Sequence, residues 1–141
     1  VYTNLIGNKN VIVVKNNTYG ILQQSHAAIV ASGTATLETA LFGVPLFVGY
    51  KGNFLSYYIG RMLVKIKFIS LVNLIFNEQV VTELIQNDLN KENIEKELKN
   101  ILSNPKREQM IAKFQLLRQK LGNKGASTVA ATEILSLINS K

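Results

Sequence analysis

Three short apolar runs alternate with helix-like segments in the first half of the chain, and this alternation constrains the fold more than any other feature. The runs cover residues 11–14, 28–31 and 46–50 and are rich in Val, Ile and other apolar residues. Apolar runs without polar alternation are typical of buried strands in a sheet that is covered on both faces. The order strand, helix, strand, helix, strand predicts an α/β fold with a parallel sheet.

The segments between and after these strands predict helices. Thr18 is placed to cap a short helix that ends near His26, and residues 35–42 predict a second helix with Gly43 at its C-terminal cap. Further helices are predicted at residues 54–64, 80–86, 91–102, 106–121 and 127–138, and an apolar, partly extended stretch at 68–75. The chain is therefore expected to end in a helical tail.

The residue types that are missing exclude several kinds of site. The 141 residues include no cysteine, so disulfides, thiolate metal sites and thiol nucleophiles are excluded. His26 is the only histidine, so the chain cannot supply a multi-histidine metal site, and no metal or cofactor is expected. No apolar run approaches the roughly 18–20 residues that span a bilayer, so no transmembrane helix is predicted.

The net charge of +7 is concentrated in the first half of the chain. Residues 1–77 hold six basic residues and a single acid, Glu38, whereas residues 78–141 hold ten basic and eight acidic residues. A surface poor in carboxylates suits an anionic partner such as a phosphate, a nucleic acid or an anionic lipid. A basic surface that serves only solubility explains the same charge equally well.

Residues 31–38 form the segment that carries most of the chemistry. They follow a predicted buried strand and open a predicted helix, and in parallel sheets ligands bind beyond the carboxyl ends of the strands. The first amides of a helix lack intrahelical acceptors and lie at its positive end. Gly33 allows close approach of a ligand to the backbone, and Thr34 and Thr36 add hydroxyl groups. The segment therefore predicts a site for a phosphate or diphosphate.

Glu38 extends this prediction to a nucleotide. It lies four residues beyond Thr34, about one turn of 5.4 Å into the helix, where a carboxylate can accept hydrogen bonds from a ribose diol. A capped helix with an acid in its first turns is the structural alternative, and it requires no ligand. The segment contains neither the dinucleotide glycine pattern nor a P-loop.

Two blocks of the sequence resemble a known enzyme family. The block ASGTATLETALFGVPLFVGYK at residues 31–51 and the block FISLVNLIFNEQVVTELIQ at residues 68–86 resemble the C-terminal half of lipid-A-disaccharide synthase. The resemblance runs from about residue 10 to the end of the chain. It implies the Rossmann-like parallel sheet of the C-terminal domain of a two-domain glycosyltransferase fold (GT-B), followed by a helical tail.

The resemblance also implies an activity. Enzymes of this family transfer 2,3-diacylglucosamine from its UDP conjugate to 2,3-diacylglucosamine 1-phosphate, which gives lipid A disaccharide 1-phosphate and UDP in lipopolysaccharide biosynthesis. By that likeness UDP-diacylglucosamine and diacylglucosamine 1-phosphate are the expected partners, and nucleic acid is not. The implied location is the cytoplasmic side of a Gram-negative inner membrane, with peripheral membrane contact. A homodimer is compatible with the helical tail.

The same likeness assigns site residues, and the position of Lys51 after the third predicted strand adds one more. The expected donor-binding set is Ser32, Gly33, Thr34, Ala35, Thr36, Glu38, Lys51, Asn73 and Gln86. The run from Ser32 to Thr36 is expected to hold the diphosphate, and Glu38 the ribose. Asn73 falls on a family asparagine associated with activity, and Gln86 on a family glutamine near the same cleft. Lys51 follows the third predicted strand, where its charge can neutralise a phosphate.

Other parts of the family pattern are expected outside this sequence. The family's catalytic carboxylate and acceptor site lie in an N-terminal domain, and a Gly-Ser-Arg loop follows the first strand of its C-terminal domain. The chain is therefore expected to be a single domain fragment without a catalytic residue, and to be inactive alone. Residues 1–90 are expected to be a partial Rossmann-like nucleotide-sugar-binding region, and residues 91–141 to be C-terminal helices packed on it.

Aromatic and basic residues share the predicted helix at 54–64. Phe54, Tyr57, Tyr58 and Arg61 have helix-compatible spacing, and aromatic residues beside basic ones suit an interface with anionic lipid. Packing of this helix on the sheet, with its basic residues in solvent, is the alternative.

Two other functions remain open. The first is another GT-B-type UDP-sugar enzyme, such as an epimerase or a murein-pathway transferase, and the block at residues 70–74 argues against it. The second is a non-catalytic basic module that binds nucleic acid, for which affinity falls steeply with salt. No nucleic-acid-binding motif is visible in the sequence.

Overall fold

Strands and helices alternate along the chain, as the sequence predicts. The computed structural model describes residues 11–31, 33–52, 67–122 and 125–139. In chain order the elements are α1 (Thr18–Gln24), β1 (Ala28–Val30), α2 (Thr34–Leu41), β2 (Leu46–Tyr50), α3 (Leu71–Phe76), β3 (Glu83–Ile85), a 3-10 turn (Gln86–Asp88), α4 (Lys91–Leu102), α5 (Lys106–Leu121) and α6 (Ala126–Asn139). The predicted helix at 54–64 lies outside the described residues.

The three strands form a parallel sheet in the spatial order β1-β2-β3. Val48 in β2 lies opposite both Val30 in β1 and Glu83 in β3, and Tyr50 at the end of β2 lies opposite Ile85. All three strands therefore end at one side of the sheet, which we call the carboxyl edge. The predicted α/β fold with a parallel, Rossmann-like sheet is confirmed.

The core is built around β2. Leu46, Phe47 and Val48 are completely buried. Because consecutive strand residues point to opposite faces, this burial shows that both faces of the central strand are covered. Helix α4 packs against β2, while α2 packs against β1, β2, α3 and α5. Helix α5 contributes its buried residues at helical spacing: Met110, Phe114 and Leu117.

The sheet is less covered at β1, and this bears on the first predicted strand. Ile29 in β1 is 53% exposed, and residues 11–14 form no strand, with Ile12 89% exposed. The predicted buried strand at 11–14 is therefore wrong. Its apolar residues make the segment capable of forming a strand, but a strand is stable only where its backbone groups find hydrogen-bond partners, and residues 11–14 join no ladder in the sheet described above.

Two predictions between β2 and α4 are corrected by the structure. The stretch at 68–75, predicted to be partly extended, contains helix α3, and Ser70 caps it by accepting a hydrogen bond from the Asn73 amide at 3.2 Å. The segment at 80–86, predicted to be a helix, instead contains β3 and the start of the 3-10 turn. Short apolar runs fit either structure, and here the open side of β2 supplies ladder partners that select the strand.

Helices α4 and α5 span residues 91–102 and 106–121, so both predictions are confirmed. Asn90 caps α4 by accepting a hydrogen bond from the Asn93 amide at 2.9 Å. Pro105 lies at the N-cap position of α5, and Gly122, with a φ of 73°, follows its last residue. These are the start and stop signals expected for surface helices.

A buried carboxylate joins α4, α5 and the segment before β3. Glu97 accepts hydrogen bonds from the Thr82 hydroxyl at 2.7 Å, from Asn100 Nδ2 at 3.2 Å and from the Lys106 ammonium group. Burial acts to raise the pKa of Glu97, but these three hydrogen bonds and the charge of Lys106 outweigh it, so the pKa is lowered. Glu97 therefore stays ionised inside the protein.

Helix α6 differs from the other helices because its large apolar residues are exposed. Val129, Ile134, Leu135 and Ile138 are all exposed. Its range is close to the predicted helix at 127–138. Of the helices in the described ranges, none combines the length and apolar character needed to cross a membrane.

Candidate functional site

A glycine turn links the end of β1 to α2. Gly33 is the N-cap residue of α2 and has φ 78° and ψ −147°, a backbone conformation that is nearly restricted to glycine. A Cβ atom built on Gly33 meets nothing within 4 Å, so the conformation and not a lack of space requires glycine. Thr34 and Ala35 are also exposed, and the positive end of α2 is therefore accessible to an anion. Ser32 lies outside the described residues.

Thr36 has an internal role in this turn. It is completely buried, and its hydroxyl donates to the Gly33 carbonyl oxygen at 2.7 Å while accepting from the Leu71 amide at 3.3 Å. The Thr36 amide also donates to the Gly33 carbonyl, at 3.2 Å. Both donors of Thr36 are thus used inside the protein, so it shapes the turn and connects it to α3 instead of presenting donors to a ligand.

Glu38 lies on α2 beside an open cleft of about 350 Å³. The cleft is lined by Glu38 and by the start of α1: Asn16, Asn17, Thr18 and Tyr19. The Tyr19 ring stacks on Phe42 with the ring centroids 5.3 Å apart, which joins α1 to the end of α2. A half-buried carboxylate among amide and hydroxyl groups can bind the hydroxyl groups of a sugar.

Asn73 does not face this cleft as a free side chain. It is completely buried, and its Nδ2 group donates to the Val81 carbonyl and to Glu83 Oε1, both at 2.9 Å. Its Oδ1 atom accepts from the Val80 and Val81 amides at 2.8 and 2.9 Å. All four hydrogen-bonding positions of the amide are therefore filled within the protein. Asn73 holds the segment before β3 against α3. Any effect of Asn73 on donor binding is therefore indirect, through the position of these two segments.

In contrast to the Asn73 side chain, the Gln86 side chain has a buried hydrogen-bond donor that no described residue satisfies. It directly follows β3 at the carboxyl edge, has a φ of 54° and is 9% exposed. Among the residues that the structure describes, its Nε2 group has no hydrogen-bond partner. Leaving such a donor unsatisfied costs about 1–3 kcal/mol, so the group is a candidate to donate a hydrogen bond to a ligand or an ordered water.

Lys51 lies at the same edge of the sheet. Because Tyr50 is opposite Ile85, Lys51 and Gln86 each directly follow the last paired residue of two neighbouring strands. Lys51 is exposed, so its ammonium group is available to an anion at this edge. The fold thus brings the Gly33 turn, Lys51 and Gln86 to the carboxyl ends of three neighbouring strands.

Glu83 is the residue in this region that sequence reasoning missed. It opens β3, and its carboxylate accepts from the Ile69 and Ser70 amides and from Asn73. Sequence reasoning treated the segment as a short helix, in which one acid among apolar neighbours is an ordinary solvent-exposed residue. The available signal was that acid itself, because a carboxylate between Val81 and Leu84 needs partners once the segment is buried.

A parallel α/β sheet with polar groups at its carboxyl edge defines a Rossmann-like α/β protein, the class in which ligands bind beyond the carboxyl ends of the strands. The chain belongs to the Lipid-A-disaccharide synthetase family, which it matches over residues 3–135. The family suggested by the sequence blocks is therefore confirmed.

Three relatives show how much of the family protein the chain represents. It is 46% identical over 127 residues to the lipid-A-disaccharide synthase of Syntrophus aciditrophicus, an alignment that covers 89% of the chain and 33% of the relative. The enzyme of the same name from Nitrosococcus oceani is 43% identical over 126 residues, with 89% and 33% covered. That from Myxococcus xanthus is 38% identical over 128 residues, with 90% and 33% covered. The chain thus spans about a third of the length of these relatives.

Proposed function

We propose that the chain is the donor-binding part of a lipid-A-disaccharide synthase. The complete polypeptide is then a hexosyltransferase that moves 2,3-diacylglucosamine from its UDP conjugate to 2,3-diacylglucosamine 1-phosphate and releases UDP. The family membership supports this activity. The observation that carries the donor-binding role is the accessible turn at Gly33, which begins the helix that places Glu38, about one turn beyond Thr34, at the open cleft.

The geometry suggests how UDP is bound. The diphosphate lies at the first amides of α2, where Thr34 and Ala35 are exposed and the helix dipole favours a negative charge. The ribose hydroxyls donate to Glu38, and Lys51 and the Gln86 Nε2 group supply further donors at the carboxyl edge. Preorganised donors of this kind stabilise the charge that develops on UDP as it leaves.

The acceptor side of the reaction is assigned to other parts of the complete polypeptide. Transfer requires a base that takes the proton of the acceptor hydroxyl, and we assign no residue of this chain to that role. The chain alone is expected to bind the donor nucleotide without catalysing transfer. Work at the cytoplasmic face of the inner membrane, peripheral contact with that membrane and a homodimeric state are parts of the same proposal.

The test is calorimetric titration of the complete polypeptide with UDP and ADP. Glu38→Ala removes a charged acceptor of the ribose and is expected to weaken UDP binding by about tenfold or more. Glu108→Ala removes an exposed acid of α5 beside Arg107, whose side chain donates to the His26 carbonyl ahead of β1 at the opposite end of the sheet, and it is expected to leave the UDP affinity within about twofold. Equal UDP affinity for wild type and Glu38→Ala contradicts the ribose role, and equal affinity for UDP and ADP contradicts a uridine-specific donor site.

A further inference from the structure

The carboxylate of Glu83 is held by amide donors at the start of α3. Its Oε2 atom accepts from the Ile69 amide at 3.0 Å, and its Oε1 atom accepts from the Ser70 amide at 3.0 Å and from Asn73 Nδ2 at 2.9 Å. Among the described residues Glu83 forms no ion pair. The negative charge is therefore stabilised by the N-terminal end of α3 and by Asn73, which it fixes in return.

The segment that Glu83 fixes is hydrogen-bonded to the Gly33 turn. Ser70 forms a parallel bridge with Gly33, and the Leu71 amide donates to the Thr36 hydroxyl at 3.3 Å. The Thr36 hydroxyl in turn donates to the Gly33 carbonyl oxygen at 2.7 Å. A continuous path of hydrogen bonds thus runs from β3 through the start of α3 to the turn.

We propose that Glu83 is a positioning residue of the donor site, and this inference rests on the proposed function. Glu83 sets the position of residues 69–71, and these residues hold the Gly33 turn in the backbone conformation that leaves the first amides of α2 accessible. A carboxylate suits the role because both its oxygens accept hydrogen bonds. A glutamine side chain at position 83 has one acceptor oxygen and one NH₂ group. Its NH₂ group faces either the Ile69 amide or the Ser70 and Asn73 donors, so donors oppose each other and no hydrogen bond forms there.

The test compares Glu83→Gln with Glu97→Gln in the complete polypeptide. Glu97 bonds to Thr82, the neighbour of Glu83, and among the described residues its carboxylate has no hydrogen bond to the path that reaches Gly33, so its variant is a matched control for loss of a buried carboxylate. Two quantities are measured in conditions where all variants are folded: hydrogen exchange of the Leu71 amide without nucleotide, and UDP affinity by calorimetry. Glu83→Asp keeps both oxygens on a shorter side chain and serves as the conservative variant.

Glu83→Gln is expected to speed exchange of the Leu71 amide and to weaken UDP binding about tenfold, because a misplaced turn loses several aligned donors. Glu83→Asp is expected to retain more of the affinity, and Glu97→Gln to stay within about twofold of wild type although its unfolding temperature falls. If Glu83→Gln does not fold, the comparison is made with Glu83→Asp. This variant is expected to lose more UDP affinity than Glu97→Gln loses.

The outcomes separate this inference from the proposed function. A wild type that binds UDP together with a Glu83 variant of unchanged affinity overturns the positioning role alone. Equal losses of affinity in the Glu83 and Glu97 variants also overturn it, because the effect then follows stability and not the turn. A wild type that does not bind UDP overturns the proposed function, and the positioning role with it.

Discussion

The central strand and the last helix contain similar apolar residues in opposite environments. Phe47 and its neighbours in β2 have no exposed surface, whereas Ile134 and Leu135 in α6 are each 58% exposed. The difference follows from their neighbours. A central strand of a parallel sheet has a packing layer on each face, while the exposed side chains of α6 lie outside the core described above. Apolar composition thus makes burial of a segment favourable, but the position of the segment in the fold determines whether it is buried.

The largest effect is expected in the central strand. Phe47→Ala removes a completely buried aromatic ring and leaves a cavity in the core, so it should lower the free energy of unfolding by about 3–5 kcal/mol. Denaturant unfolding followed by circular dichroism measures this loss. A loss below about 1 kcal/mol would show that the hydrophobic core is not built around β2.

An intermediate effect that depends on pH is expected at Glu97. Because its pKa is lowered in the folded state, the unfolded state binds the proton more readily than the folded state as the pH falls below the ordinary value of 4.5. The stabilisation is therefore complete above that pH and is lost as the pH falls through the folded-state pKa. At neutral pH, Glu97→Gln should be less stable than wild type by about 1–3 kcal/mol.

This expectation is checked by unfolding both proteins at a series of pH values. The difference in stability between wild type and Glu97→Gln should shrink as the solution becomes more acidic than pH 4.5. A difference that is constant or grows on acidification is inconsistent with an ionised Glu97 held by Lys106, Thr82 and Asn100.

The smallest effect is expected in α6. Ile134→Ala removes an exposed side chain and should change the free energy of unfolding by no more than about 0.5 kcal/mol. Measured beside Phe47→Ala, it tests the contrast between the two regions directly. A loss above about 2 kcal/mol in α6 would mean that this helix is buried against a surface in solution.

The parts of the fold that could be predicted from sequence are those with local signals. Helix α5 lies between Pro105 and Gly122, and β2 is bounded by Pro45 and followed by Gly52, so their limits were predicted well. The predictions of a strand at 11–14 and of a helix at 80–86 were wrong. In both segments, pairing with a distant part of the chain determines whether a strand forms. Sequence periodicity over five to seven residues carries no information about whether such a partner is present.

The candidate site also combines features with local sequence signals and features that depend on distant contacts. The glycine at position 33 and the acid at position 38 were recognisable because a helix start and one helical turn are local features. The internal roles of Thr36, Asn73 and Glu83 depend on contacts between α2, α3 and β3, which come from separate parts of the sequence. A residue type suited to ligand binding is equally suited to internal hydrogen bonds, and only the three-dimensional arrangement distinguishes the two.

Donor binding at the Gly33 turn is tested most directly by a crystal structure of the complete polypeptide with UDP. We expect the diphosphate within hydrogen-bonding distance of the Thr34 and Ala35 amides, and the ribose hydroxyls within hydrogen-bonding distance of the Glu38 carboxylate. A nucleotide bound away from the Gly33 turn, or a Glu38 side chain that faces solvent in the complex, would contradict it.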